Sequence, residues 1–297
     1  MELENLIEHF LYAYFYHIEG ALDKVKNKLA AVKYQSEEAN TDEFQKKFIK
    51  EFILENNSLK ECKLNELSLK KNGVIDKVKI SSLSDIYIKN VYLPEELTPE
   101  FKKNIVANKK GVYSNPDLYL EISNGFETVY RTVELKSTKN DKIPGSSVQQ
   151  ISLYEWVIFI RRKNNNVSVA TGQYINSITE KLAFPDRSPR PEVGFKRLSG
   201  WNEKNRILEN DELIFNIDTT VEDNVKHLVL DWQEVLVDEW FELIISGSKL
   251  KSEKWFNNVI RKFSYKLISY INNLPQDELE NLRSILSKNI EDSNNLD

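Results

Sequence analysis

A single cysteine, Cys62, leaves this 297-residue chain no internal disulfide framework, which fits a reducing cytoplasm. Glycine and proline are sparse, nine and eight residues, and 29% of the chain is charged, as expected of an ordered globule. No apolar run is long enough to span a bilayer. The aromatic stretch Phe10–Tyr16 is too short, and its N-terminal flank is acidic, so neither a membrane anchor nor a signal peptide is expected. A Gly-rich phosphate loop is missing, which argues against ATP-driven translocation. The three histidines, His9, His17 and His227, are scattered; His9 and His17 could share a helix face, but two histidines make a poor zinc site. No Ser-His-Asp order suggests acyl transfer.

What is present is ample core material, 40% hydrophobic and 11% aromatic, enough for one large domain or two. The net charge of −5 conceals an uneven distribution. Residues 136–206 hold thirteen Lys or Arg against six Asp or Glu, net +7, so the remainder carries −12. A protein acidic overall with one basic face can bind nucleic acid there.

The most informative stretch runs from Pro116-Asp117 to Glu134-Leu135-Lys136. Asn124-Gly125 lies between two strand-like runs, 118–122 and 128–133, and Asn-Gly favours a two-residue type I′ hairpin turn. With that loop, Ser123 faces Phe126 and Asp117 lies opposite Thr132. Side chains alternate along a strand, so Asp117, Thr132, Glu134 and Lys136 share a face. Glu134 becomes the diagonal neighbour of Asp117, roughly 7–8 Å away. Leu118, Leu120, Ile122, Val129, Val133 and Leu135 form the opposite, buried face, which pins the register. Carboxylate oxygens suit Mg²⁺, which takes one or two carboxylates and keeps several waters. Such a metal polarises a phosphate and lowers the pKa of a bound water. Lys136 beside it can orient the nucleophile or stabilise charge developing on phosphorus.

Pro116-Asp117 followed by Glu134-Leu135-Lys136 resembles the PD-(D/E)xK nuclease superfamily, and within it a type II restriction endonuclease. The resemblance covers roughly residues 111–175. It implies an α/β fold, a mixed central β-sheet flanked by helices, here with a helical C-terminal region. It implies Mg²⁺, with Mn²⁺ as a substitute, held by Asp117, Glu134 and the Leu135 carbonyl, with Lys136 as the catalytic lysine. The expected activity is sequence-specific cleavage of double-stranded DNA by a homodimer, with a DNA methyltransferase as genetic partner. The alternatives are a repair or recombination nuclease of the same superfamily and a catalytically silent nucleic-acid-binding module.

A short helix is expected over Ile143–Tyr154, capped by Ser146 or Ser147, with Gln150 and Tyr154 on one face. The Gln-x-x-x-Tyr spacing resembles a supporting motif of several superfamily branches, and Gln149 fits that role equally. Trp156–Ile160 reads as a buried strand paired with the alternating stretch Val167–Ile175. Residues 183–206, rich in Pro, Gly and basic residues, read as a loop. Lys139, Lys142, Arg187, Arg190, Lys196 and Arg197 are the candidate DNA contacts.

The outer regions complete three expected units. Residues 1–72 form an N-terminal helical segment packing on the core, with one long helix over 2–35. Thr41 or Asp42 caps a second helix, from which Glu51 or Glu55 is a further candidate for the metal site. Residues 73–218 form the nuclease core, with strands over 74–80 and 85–93 and a sheet of about five strands. Residues 219–297 form three helical segments broken near Gly247 and Pro275, suited to dimerisation or DNA clasping.

Overall fold

The computed structural model describes residues 3–32, 43–107, 116–147, 152–163, 166–183, 190–217, 223–246 and 255–294. The chain opens with α1 (Leu3–Lys24), which breaks at Val25 before a short α2 (Lys26–Ala31). The expected single helix over 2–35 is thus two, because Val25 leaves helical geometry with ψ near 18°. α3 (Glu43–Glu55) buries Ile49, Phe52 and Ile53 as its spacing predicts, whereas Phe44 is exposed. Thr41 and Asp42 lie outside the described residues.

The segment before residue 73 is not purely helical. It contributes β1 (Glu66–Lys71), which turns through Asn72 and Gly73, both at positive φ, into β2 (Val74–Lys79). After β3 (Tyr87–Tyr92) and α4 (Pro99–Ala107) come β4 (Leu118–Ser123) and β5 (Thr128–Thr138). β6 (Lys142–Pro144), β7 (Trp156–Lys163), β8 (Asn166–Gln173), β9 (Ile178–Ala183) and β10 (Arg190–Gly194) follow. Then come α5 (Phe195–Asn205), β11 (Arg206–Glu209) and β12 (Glu212–Asn216). The chain ends in α6 (Asp223–Leu230), α7 (Trp232–Ser246), α8 (Trp255–Ile271) and α9 (Gln276–Asn294). The C-terminal region therefore carries one more break than expected, at Asp231 between α6 and α7.

The expected mixed sheet is present, five strands in the order β3-β4-β5-β7-β8. Only the β5–β7 pair is parallel; the others are antiparallel. β7 and β8 pair as a hairpin, as the alternation of 167–175 predicts. Two further sheets flank it, β11-β12-β1-β2 and β6-β10-β9. α1 lies between the five-stranded sheet and the β1/β12 sheet. Phe10 through Phe15 are all buried, and the Tyr12 ring meets Trp156 of β7 at 5.1 Å and Phe215 of β12 at 4.8 Å. A helix buried on both sides is apolar nearly all round, which is what this aromatic run achieves. A second apolar cluster packs Val157, Phe159 and Tyr174 against Phe195 and Leu198 of α5 on the other face of the sheet.

The 183–206 region is corrected in two respects. Its described part forms β10, paired with β6 and β9, and α5, whose Phe195 and Leu198 are buried. Pro191 is accommodated in β10 at a register irregularity between β9 and β10. No helix of the described residues is long and apolar enough to cross a membrane.

Candidate active site

The β4–β5 hairpin sets the site, with a turn longer than predicted. Ser123 pairs with Thr128, not Phe126, so residues 124–127 form the loop. Asn124 does not take the positive φ of a type I′ turn; its side-chain oxygen instead accepts the N–H groups of Phe126 and Glu127 at 3.0 and 2.8 Å. Gly125 alone adopts positive φ, 88°. The pairing slips by two residues relative to the two-residue turn. A slip of two preserves which side chains share a face, so the predicted grouping survives the wrong turn. With Leu118 opposite Val133, one further step sets Asp117 against Glu134 rather than Thr132. The two carboxylates are direct cross-strand neighbours instead of diagonal ones.

Asp117, Thr132 and Glu134 are all buried. Asp117 Oδ2 accepts the Leu135 N–H at 2.8 Å, which closes the hairpin beyond the end of β4. Its Oδ1 is held by Lys46 Nζ at 2.7 Å. Pro116 occupies the next position on the β4 side and has no N–H to give the Leu135 carbonyl. Lys136 Nζ lies 2.7 Å from Glu134 Oε1 and donates to Ser146 Oγ at 2.9 Å. Ser146 Oγ in turn donates to Glu134 Oε1 at 2.5 Å. The backbone N–H of Ser146 is held by the hydroxyl of Tyr174, a fully buried ring, at 2.9 Å.

Burial pushes the Glu134 carboxyl up to about 7, against the pull of Lys136, and the nearby charges of Asp117 and Glu155 add to the rise. Burial alone would lower the Lys136 pKa, but Glu134 and the other acidic neighbours raise it, so the lysine keeps its proton. Tyr174 is pushed up to about 12 by burial and stays a neutral phenol. The site thus pairs two carboxylates, Asp117 and Glu134, with two ammonium groups, and the Glu155 charge lies near enough to raise the Glu134 pKa. Glu155 shares this face because Val157 pairs with Glu134 on the parallel strand.

Not every candidate converges here. Described residues 142–147 and 152–155 form strand, extended chain and turn, so the expected helix over 143–154 is absent from them. The β6–β10 pairing holds this stretch extended, and Ser146 serves the Glu134–Lys136 pair instead of a helix cap. Gln149 and Gln150 lie outside the described residues. Tyr154 is 60% exposed and lines a cleft of about 190 Å³ with Tyr12, Arg131, Thr132 and Glu155. Glu51 and Glu55 are exposed; α3 contributes Lys46 in their place.

Among the DNA-contact candidates, Lys142 pairs with Glu192 and Lys196 with Asp141. Such exposed pairs are worth about 0–1 kcal/mol. Lys139, Arg190 and Arg197 are exposed, and Arg187 lies outside the described residues.

Sequence reading missed Lys46, Ser146's role, Tyr174 and Glu155. Lys46 is one lysine among many on a helix surface and carries no sequence signal. Glu155 could have been found, since it stands two residues before the strand position that pairs with Glu134. Gly145 is a further unread constraint. A Cβ there would lie 2.5 Å from the Pro191 carbonyl and 2.6 Å from the Tyr174 hydroxyl. Gly145→Ala is expected to displace the Ser146 loop and destabilise the fold by about 1–3 kcal/mol. Denaturant titration measures this, and an unchanged midpoint would contradict the packing described.

No protein-family model, curated protein or solved structure matches the chain. Among the described residues no cluster of three His, Cys, Asp or Glu side chains is arranged to hold a metal ion. The donor set to be weighed is therefore two carboxylates and a carbonyl. That set fits Mg²⁺, which fills its remaining positions with water. Burial is the main cause of the raised Glu134 pKa, with the charges of Asp117 and Glu155 adding to it, and a divalent cation would favour the ionised carboxylate.

Proposed function

We propose that the chain is a Mg²⁺-dependent endonuclease acting on double-stranded DNA, with Asp117, Glu134 and Lys136 at its centre. The carrying observation is the buried cross-strand pair Asp117/Glu134, with Lys136 held against Glu134 at 2.7 Å. Asp117, Glu134 and the Leu135 carbonyl would hold the cation, which supplies Lewis acidity toward a phosphoryl oxygen and lowers the pKa of water. Asp117 Oδ1 serves there only if Lys46 gives up part of its contact. Lys136 retains its proton at Nζ and places a fixed positive charge where negative charge develops during hydrolysis. Ser146 orients that ammonium, and Tyr174 fixes Ser146 through its backbone. Lys139, Lys142, Arg190, Lys196 and Arg197 are the basic groups that would meet phosphates.

Digestion of plasmid and phage DNA tests the substrate class. Discrete fragments are expected of a sequence-specific endonuclease. A smear would point to a nuclease without sequence preference, and intact DNA under all conditions would contradict the reading.

The raised Glu134 pKa has a thermodynamic consequence with a definite sign. Between about pH 4.5, its ordinary value, and about 7, the folded chain holds a proton that the unfolded chain has released. In EDTA, this group therefore makes stability fall as pH rises through that window, and the loss persists above it. Wild type is expected to show this fall relative to Glu134→Gln in paired melts. Adding Mn²⁺ at about 100 times its Kd should then stabilise wild type by about 2.7 kcal/mol. Equal pH profiles for the two proteins, or equal stabilisation of both by Mn²⁺, would contradict this assignment.

A further inference from the structure

Both carboxylate oxygens of Asp117 are engaged by protein groups. Oδ2 accepts the backbone N–H of Leu135 at 2.8 Å, a bond that belongs to the hairpin itself. Oδ1 is held at 2.7 Å by Lys46 Nζ, which arrives from a separate element. α3 packs beside β3 and is fixed by its buried residues Gln45, Ile49, Phe52 and Ile53. Of its three lysines, Lys47 pairs with Glu43 and Lys50 with Glu96, whereas Lys46 reaches inward to Asp117. The Lys46 and Asp117 side chains are only 18% and 7% exposed, so the pair is largely withdrawn from water. A charge left unpaired in such a setting is costly, so Asp117 needs a cation at Oδ1 at all times.

A divalent ion held by Asp117 competes with Lys46 for Oδ1, because freeing Oδ2 would cost the hairpin its bond to Leu135. With Glu134 ionised, Asp117 and Glu134 are balanced by Lys46 and Lys136. Entry of an ion without departure of an ammonium would leave excess positive charge where the dielectric screens it poorly. Lys136 is tied to both Glu134 and Ser146. Lys46 hangs on a flexible aliphatic stem, so its ammonium can turn out to solvent while α3 stays in place. We propose that Lys46 is a tethered stand-in for the divalent ion: its ammonium neutralises Asp117 until an ion of higher charge displaces it. This inference rests on the metal-dependent reading of the Asp117/Glu134 pair. Lys46 thereby sets the ion concentration at which the site fills. Exchange of the ammonium for a monovalent ion gains no charge, so the lysine also biases the site toward divalent ions.

Lys46→Met is expected to bind Mn²⁺ at least about tenfold more tightly than wild type in calorimetric titration, because a like charge is removed from beside the ion. A lysine that merely anchored α3 would leave binding unchanged or weaker on its removal. In wild type, acetylation of Lys46 by an N-hydroxysuccinimide ester, read by mass spectrometry of the digest, is expected to rise severalfold when EDTA is replaced by saturating Mn²⁺. This second measurement needs no variant and decides the matter if Lys46→Met fails to fold. Suppose wild type binds Mn²⁺, but folded Lys46→Met binds it equally or more weakly, or Mn²⁺ leaves Lys46 labelling unchanged. Either result overturns the stand-in and leaves the metal site in place. Failure of both proteins to bind Mn²⁺ would overturn the metal reading and this inference with it.

Discussion

Glu134→Ala and Lys136→Ala are each expected to lower DNA cleavage by at least about 10²-fold while leaving most DNA affinity intact. Removing a single electrostatic group aimed at developing charge typically costs about 10²–10³ in rate. Glu134 would also take a metal position with it. The two variants differ in their structural side effects. Lys136→Ala strips a buried carboxylate of its partner, and breaking a buried pair costs about 3–5 kcal/mol when the remaining group stays charged. Glu134, already pushed up to about 7, escapes much of that cost by taking a proton. Glu134→Ala removes the group that raises the Lys136 pKa, but Asp117 remains nearby as a counter-charge. Circular dichroism and a DNA-binding titration at fixed salt separate lost chemistry from lost folding. Wild-type cleavage rates in either folded variant would remove these residues from the site.

Trp156→Ala is expected to destabilise the protein by about 3–5 kcal/mol, the usual cost of deleting a buried aromatic ring. Trp156 stands at the start of β7, one residue from Glu155, and stacks on Phe15 of α1 with ring centroids 4.4 Å apart and planes 6° from parallel. It also meets the edge of Tyr12, which bridges to Phe215 on the neighbouring sheet. Losing the indole therefore opens the junction of three layers. Denaturant unfolding followed by far-UV circular dichroism measures the change. A shift below about 1 kcal/mol would show that α1 is not the layer that joins the two sheets.

The sequence revealed the hairpin's polar face more securely than its turn. Period-two alternation placed Asp117, Glu134 and Lys136 together whether the loop held two residues or four, because both registers have the same parity. The loop length was not legible, since Asn124 has two ways to use its side chain and backbone, and only the folded turn selects one. Trp156–Ile160 was recognisable as a strand from its apolar run and its alternating partner, and the folded strand extends it to Lys163. The region after β5 was misread for tertiary reasons. Pairing of β6 with β10 holds residues 142–144 extended against a local helix signal, and α5 gains its place by burying Phe195 and Leu198. Likewise β1 looks polar in isolation, yet it is fixed by a parallel partner, β12, from far along the chain. Lys46 was invisible for the same reason, because only packing of α3 brings it to Asp117.

The central claim is that Asp117, Glu134 and Lys136 form a divalent-metal-dependent site for phosphodiester hydrolysis. Its most direct test follows supercoiled plasmid under single-turnover conditions in EDTA, then after Mg²⁺ is restored in excess, with wild type and Glu134→Ala side by side. The account predicts no cleavage in EDTA, recovery of cleavage in wild type when Mg²⁺ returns, and none in Glu134→Ala. Cleavage by wild type that continues in EDTA, or cleavage by Glu134→Ala at the wild-type rate, would contradict it.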